Sequence, residues 1–175
     1  FFVADDGPNG PELWVTDGTP GGTVLVENIR PGGTGAEISE IVAFAGLAWF
    51  QANNGTTGIE IWSSDGSAGG TAMVANLATG VSSSSPGGLH VVGDQLFFAA
   101  TASVVGRELH VATTSGVALV RNLVAGGNGA NPSRFATLGD RLFFVATDGV
   151  AGREPWASDG TEGGTELLLD VRSGS

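Results

Sequence analysis

The stretch that decides the fold is 12–32, ELWVTDGTPGGTVLVENIRPG, because its pattern returns three more times along the chain. Its anchor is a Gly-x-Glu sequence with Trp or His two residues after the Glu, and it reads GPELW, GIEIW, GRELH and GREPW. The copies begin at Gly10, Gly58, Gly106 and Gly152, so the steps are 48, 48 and 46 residues. A fixed period of this length is typical of a repeat architecture.

Each repeat contains four strand-like runs, which in the second repeat are 40–44, 47–52, 59–64 and 71–77. Short Gly-containing turns separate the last three runs, and longer Gly/Ser/Asn-rich links join one repeat to the next. Several runs are apolar on both faces, as expected for sheets that are covered on both sides. The pattern therefore predicts an all-β fold, a β-propeller built from four-stranded antiparallel blades, with a two-sheet sandwich as the alternative.

The predicted repeats divide a single propeller segment, 1–175, into 1–38, 39–86, 87–132 and 133–175. The first repeat starts at its second strand, so we expect it to lack the innermost strand. We also expect the segment to belong to a larger ring, or to a ring closed with another chain. Because the sequence opens at Phe1 rather than Met, a processed protein or a piece of a longer one is expected.

Composition excludes several classes of function. The chain has 7 basic and 18 acidic residues, a net charge of -11, and no cysteine. Nucleic acids and anionic membranes both require basic surfaces, and no apolar run reaches the roughly 18 residues of a membrane span. With two histidines and no asymmetric cluster of reactive groups, we expect no catalytic residues and no enzymatic activity.

One glutamate occurs in every repeat within an otherwise apolar strand; the set is Glu12, Glu60, Glu108 and Glu154. A buried carboxylate needs partners, so we expect it to tie strands or blades together through backbone N–H groups or an arginine. The alternative is a ring of acids lining a channel for a cationic ligand. Arg107 and Arg153 precede two of these glutamates and are expected to contact a neighbouring blade.

An aromatic ring follows each glutamate by two residues, at Trp14, Trp62, His110 and Trp156. Rings at repeat-locked positions are expected in the core, where burying each contributes on the order of 2–3 kcal/mol. We interpret His110 as a substitute for Trp and not as a catalytic base.

Asp17, Asp65 and Asp159 open DGT-like turns, and Thr113 replaces them in the third repeat. We expect Asx turns, in which the carboxylate accepts backbone N–H groups two residues further on. The alternative is a repeated Ca²⁺ ligand, since hard cations prefer carboxylate oxygens. No other cofactor or metal is predicted.

A second group of polar residues lies in the turns between the second and third strands, at the end of the repeat that also carries the links. These candidate ligand-binding residues are Asp5, Asp6, Asn53, Asn54 and Asp148. A rim of this composition suits surface glycans or cations.

The stretches 12–32 and 152–174 (GREPWASDGTEGGTELLLDVRSG) resemble the bacterial ELWxxDGT-motif repeat family. The resemblance implies a propeller-like repeat in large secreted or surface-anchored proteins and brings no reaction with it. It leads us to expect a non-catalytic extracellular or cell-surface module for adhesion, structure or scaffolding, with other chains or further repeats as partners. A glycan- or Ca²⁺-binding module is the alternative, and a propeller lyase or hydrolase ranks third.

Overall fold

A computed structural model describes residues 1–150 and 152–171, which form strands and turns without any α-helix. The strands are β1 Phe2–Asp5, β2 Pro11–Val15, β3 Val24–Glu27, β4 Ser39–Phe44, β5 Leu47–Asn53, β6 Ile59–Ser64, β7 Ala72–Ala75, β8 Gly87–Val92, β9 Gln95–Ala102, β10 Gly106–Thr113, β11 Gly116–Arg121, β12 Ser133–Leu138, β13 Arg141–Ala146, β14 Glu154–Ser158 and β15 Glu166–Leu167. No helix with the length and hydropathy of a membrane span occurs among the described residues.

These strands form four antiparallel sheets, one for each predicted repeat. Sheet 1 has the order β1-β2-β3, sheet 2 β4-β5-β6-β7, sheet 3 β8-β9-β10-β11 and sheet 4 β12-β13-β14-β15. Within each sheet, strands that are consecutive in sequence pair with each other, which is the up-and-down connection that short turns allow. The prediction of an all-β fold of antiparallel sheets is confirmed, and sheet 1 has three strands among the described residues, as expected.

The first strands of the complete sheets, β4, β8 and β12, are called lead strands below. They begin at Ser39, Gly87 and Ser133, where the predicted repeats begin. Each has a register shift against its neighbour. Each also has one residue with positive φ at the same repeat position: Glu40, Gly88 and Arg134.

The strands of sheet 2 follow the predicted runs closely, except at the last one. β7 spans Ala72–Ala75, whereas the predicted run continues to residue 77. The reason is that the Leu77 amide donates to the Glu60 carboxylate at 3.0 Å. The chain therefore leaves the sheet before its apolar run ends.

The chain divides into two compact units, an N-terminal unit, Phe1–Ser85, and a C-terminal unit, Pro86–Ser175. The core of the N-terminal unit joins Leu13 and Val26 of sheet 1 to Phe50 of sheet 2. The core of the C-terminal unit joins Phe97 of sheet 3 to Trp156 of sheet 4. Within each unit, two sheets thus bury their facing surfaces against each other.

Candidate functional site

The repeated glutamates are the most distinctive polar groups in the fold, and we call them the link glutamates. Three of them are completely buried and the fourth is 4% exposed; the set is Glu12, Glu60, Glu108 and Glu154. No salt bridge involves any of the four among the described residues. Their partners are backbone amides in the link that follows the last strand of the same repeat, which is the backbone tie expected from the sequence.

Glu60 shows this arrangement most completely. Its Oε2 accepts the Leu77 amide where the link begins, and its Oε1 accepts the Ser84 amide, at 3.1 Å, where the link ends. The Ser84 hydroxyl also donates to Oε2 at 2.6 Å. One buried carboxylate therefore holds both ends of the link. An acid lining a water-filled channel would be exposed, so the channel alternative is wrong for this residue.

Glu108 holds the next link with fewer donors. Its Oε1 accepts the amides of Val124 and Ala130, at 3.1 and 3.0 Å. Its buried Oε2 has no partner of full hydrogen-bond geometry. Burial raises the pKa of Glu108, and the opposing effect of the Val124, Leu123 and Ala130 amides is smaller.

Glu12 follows the same pattern in the first repeat. Its two oxygens accept the amides of Ile29 and Arg30, at 3.1 and 3.0 Å. Burial raises the pKa of Glu12, against the effect of those two amides. Glu154 accepts the Val171 amide at 2.9 Å.

Two repeat positions occupied by small residues, which the sequence analysis missed, make room for the link glutamates. The residue paired across the ladder from each link glutamate is alanine: Ala4, Ala52, Ala100 and Ala146. The residue that closes the link is also small and fully buried: Ala36, Ser84 and Ala130. Both positions could have been found from the sequence, because an Ala or Ser recurs there at a regular distance from the anchor glycine of each repeat.

The link-closing residue also connects neighbouring sheets through the backbone. The Ala36 amide donates to the Pro11 carbonyl of sheet 1, and the Ala36 carbonyl accepts the Asn53 amide of sheet 2. In the C-terminal unit, the Ala130 carbonyl accepts the Thr147 amide in the same way. The link is therefore hydrogen-bonded to the sheets on both of its sides.

The aromatic positions two residues after the link glutamates are mostly in the core. Trp62, His110 and Trp156 are 9%, 2% and 5% exposed, and Trp14 is half-buried. The His110 ring stacks on Phe98 with centroids 5.7 Å apart, and its Nδ1 lies 3.1 Å from the Glu108 carbonyl oxygen. Burial lowers the pKa of His110. It occupies the core position that Trp has in the other repeats.

The DGT turns are loops whose polar groups bond one another. Asp65 Oδ1 accepts the amide and the hydroxyl of Ser67, at 2.8 and 2.7 Å, which is the expected Asx turn. A chain of hydroxyls, missed from the sequence, completes the loop: Ser64 Oγ contacts Thr71 Oγ1, and Thr71 donates to the Ser67 carbonyl. The same bonds occur around Asp17 and Asp159.

These turn carboxylates have depressed pKa values. The largest cause in each turn is the hydrogen bond from the hydroxyl group two residues further on, and the next is the bond from the amide of that same residue. The donors are Thr19 for Asp17, Ser67 for Asp65 and Thr161 for Asp159. No group of three or more His, Cys, Asp or Glu side chains in the described ranges is arranged to hold a metal ion. Ca²⁺ binding at these turns stays a hypothesis.

The predicted rim residues bond within their own turns. Asp5 Oδ1 accepts the Gly7 amide, Asp6 accepts the Asn9 amide, and Asp148 Oδ1 accepts the Val150 amide.

In the second repeat, Asn54 Oδ1 accepts two amides and two hydroxyls from Thr56 and Thr57. Asn53 Nδ2 donates to Glu37, which also pairs with Arg30 of the link. Asn53 therefore contacts the link at Glu37, whereas Asn54 bonds within its own turn, and ligand binding at these residues stays a prediction.

Arg153 contacts both its own sheet and the last residues of the preceding repeat, 87–132. Its Nη2 donates to the Ser133 hydroxyl at 2.8 Å and to the Val145 carbonyl at 3.2 Å, both in its own sheet. It also donates to the Asn131 carbonyl in the link before that sheet. The register shift in β12 opens this sheet edge to the guanidinium.

Comparison with known proteins gives one informative likeness. No known family profile matches the chain, and no curated protein matches it. A solved structure described in a study of two prolyl endopeptidases, on inter-domain dynamics in catalysis and specificity, superimposes with a TM-score of 0.55 at 16% identity. The match covers 93% of this chain and 23% of that one. At this identity the likeness concerns the fold alone, and it agrees with a propeller-like arrangement.

Proposed function

We propose that the chain is a non-catalytic repeat module of an extracellular β-propeller that acts in adhesion or scaffolding by associating with other protein chains or repeats. The observation that carries this proposal is the use of the repeated carboxylates. The link glutamates are buried against backbone amides, and the turn aspartates bond within their own loops. The repeated carboxylates therefore stabilise the repeat by accepting hydrogen bonds.

In this proposal each sheet is a blade, and the blades belong to a ring larger than the four sheets described. The fixed 46–48-residue spacing and the two-sheet cores of both units support it. Secretion and the cell surface are proposed from the ELWxxDGT resemblance, and the acidic, lysine-free composition agrees with a soluble partner-binding protein.

Analytical ultracentrifugation over roughly 1–100 µM, a range where weak protein association is detectable, tests the proposal. We expect concentration-dependent self-association without added metal. A chain that stays monomeric, gains thermal stability in millimolar Ca²⁺ and binds glycans on an array would replace it with the ligand-binding alternative. Turnover of a glycan or peptide substrate would contradict its non-catalytic part.

A further inference from the structure

Two of the links close on their glutamates with the same backbone geometry. They are link 2, residues 76–86, and link 3, residues 122–132, and each ends at a lead strand. In both links, the amide of the closing residue donates to Oε1 of the glutamate; the pairs are Ser84 with Glu60, at 3.1 Å, and Ala130 with Glu108, at 3.0 Å. In both, the amide of the following residue donates to the carbonyl just before the glutamate; the acceptors are Ile59 and Arg107. The side chains of the two closing residues therefore occupy equivalent positions.

The two closing residues differ by one hydroxyl group. In link 2, the Ser84 hydroxyl donates to Oε2 of Glu60 at 2.6 Å, and the Leu77 amide donates to the same oxygen at 3.0 Å. In link 3, Ala130 has no hydroxyl to donate. The two amides of link 3 that bond Glu108 share its Oε1. Its Oε2 is buried and has no hydrogen-bond partner among the described residues.

The first repeat shows that an alanine at the closing position does not by itself leave an oxygen unpaired. Ala36 closes that link, yet Oε2 of Glu12 accepts the Ile29 amide and Oε1 accepts the Arg30 amide. Each oxygen of Glu12 therefore has its own donor. Glu108 differs from Glu12 as well as from Glu60 in this respect.

Within the described part of the chain, no charged side chain offsets the burial of Glu108. Burial is the largest influence on its pKa and raises it, and the opposing influences are link amides. β9 and link 3, which both contact Glu108, contain no charged residue. The charged or titratable residues of the other elements around it are Arg107 and His110 of β10, Arg121 of β11, and Asp148 and Arg153 near the rim turn of sheet 4. None of them is among the influences on the pKa of Glu108.

Link 3 is also attached to the rim turn of sheet 4. The Ala130 carbonyl accepts the Thr147 amide at 3.0 Å. The Val124 side chain lies against Gly149, since a Cβ there would stand 3.5 Å from Val124 Cγ1. Thr147 and Gly149 flank Asp148, one of the predicted rim residues. Release of link 3 from its glutamate would therefore also loosen this turn.

We propose that closure of link 3 depends on a proton at Glu108: the link is bonded to the neutral carboxyl group and opens when that group ionises. With the proton on Oε2, Oε1 still accepts both amides and no charge is buried. Ionisation leaves a buried charge with one oxygen that lacks a donor, which favours an open link in which water reaches the carboxylate. In link 2 the Ser84 hydroxyl supplies the missing donor. This device goes beyond the proposed function and does not depend on it.

The direction of the pH dependence follows from the two states of link 3. The pKa of Glu108 is raised in the closed link and returns to its ordinary value, near 4.5, where water reaches the carboxyl group. Closure is therefore most favourable below about pH 4.5 and weakens as pH rises through the raised pKa. Hydrogen exchange of single amides, corrected for the intrinsic effect of pH on exchange, measures closure. We expect the protection of the Val124 and Ala130 amides to fall about tenfold or more between pH 4.5 and pH 7.5, relative to the Leu77 and Ser84 amides of link 2.

Exchanging the closing residues between the two links tests the cause. Ala130→Ser gives link 3 the hydroxyl of link 2 and should limit the fall in protection to about twofold or less. Ser84→Ala is the reciprocal variant and should speed exchange at Leu77 and at residue 84 as pH rises. Glu108→Gln cannot ionise and should show no fall beyond that of link 2. A fall of equal size in the native chain and in Ala130→Ser would overturn the proposal.

If Ala130→Ser fails to fold, the native chain decides by NMR titration of the Glu108 side-chain carboxyl carbon. A midpoint above 4.5, with protection at Val124 and Ala130 lost over the same pH range, supports the proposal. A midpoint at or below 4.5, or protection that does not change across the midpoint, overturns it. Neither result bears on self-association, so the proposed function is tested separately.

Discussion

Asp65 Oδ1 lies against the α-carbon of Gly70, so that a Cβ at residue 70 would stand 2.1 Å from this oxygen. The same contact joins Asp17 to Gly22 and Asp159 to Gly164. None of these glycines has a positive φ. The last glycine of each DGT turn is therefore required by the space that the carboxylate takes, and not by backbone conformation.

Replacing Gly70 with alanine is expected to lower the free energy of unfolding by about 1–2 kcal/mol, because the new methyl group displaces the Asp65 carboxylate from its bonds. Urea unfolding followed by tryptophan fluorescence measures the loss. Gly69→Ala is the matched control, since no atom lies within 4 Å of its Cβ position. Equal losses in the two variants would contradict the contact, and a prior Asp65→Ala change should reduce the cost at residue 70.

Glu60→Gln is expected to lower the free energy of unfolding by about 2–3 kcal/mol. The amide keeps one acceptor oxygen, and its NH₂ group would face a backbone donor of the link. Glu162→Gln, at an exposed position, is the control and should change stability little. Hydrogen exchange should show faster exchange at Leu77 and Ser84 in the first variant alone. Unchanged exchange there would mean that the carboxylate does not hold the link.

The raised pKa of Glu108 predicts a pH dependence of stability. The folded state binds the Glu108 proton more tightly than the unfolded state does. The resulting contribution to the free energy of unfolding is therefore complete below about pH 4.5 and is lost as pH rises through the raised pKa. Glu108→Gln cannot ionise, so its stability relative to the native chain should improve as pH rises through that window. Parallel curves from urea titrations at several pH values would show that Glu108 does not titrate there.

The lowered pKa of His110 acts in the opposite direction. The contribution of neutral His110 to the free energy of unfolding is complete above the pKa of the unfolded state, near 6.5, and is lost as pH falls through the lowered pKa of the folded state. His110→Trp should remove this loss while keeping the stacked core. The indole can donate to the Ala100 carbonyl, as Trp14 and Trp156 donate to Ala4 and Ala146. Thermal melts at pH 5 and pH 7 measure how the melting temperature changes with pH in the native chain and in the variant. If the change is the same in both, groups other than His110 cause it.

The Asx turns could be predicted from the sequence because Asp65 and Ser67 are two residues apart, so local geometry determines their bonds. The partners of Glu60 could not, because Ser84 is 24 residues away and meets it only after the link folds back. The contacts of Arg153 within its own sheet could not be predicted either, because alternation along an ideal strand takes no account of the register shift in β12, where the guanidinium donates to Ser133.

The sequence by itself determined the number of sheets, the order of their strands and the spacing of the repeat, because each follows from short turns and local periodicity. Only the tertiary structure decided which amides the link glutamates accept and how the DGT loops close. These depend on contacts between residues far apart in the chain, where burial and steric fit select the partner.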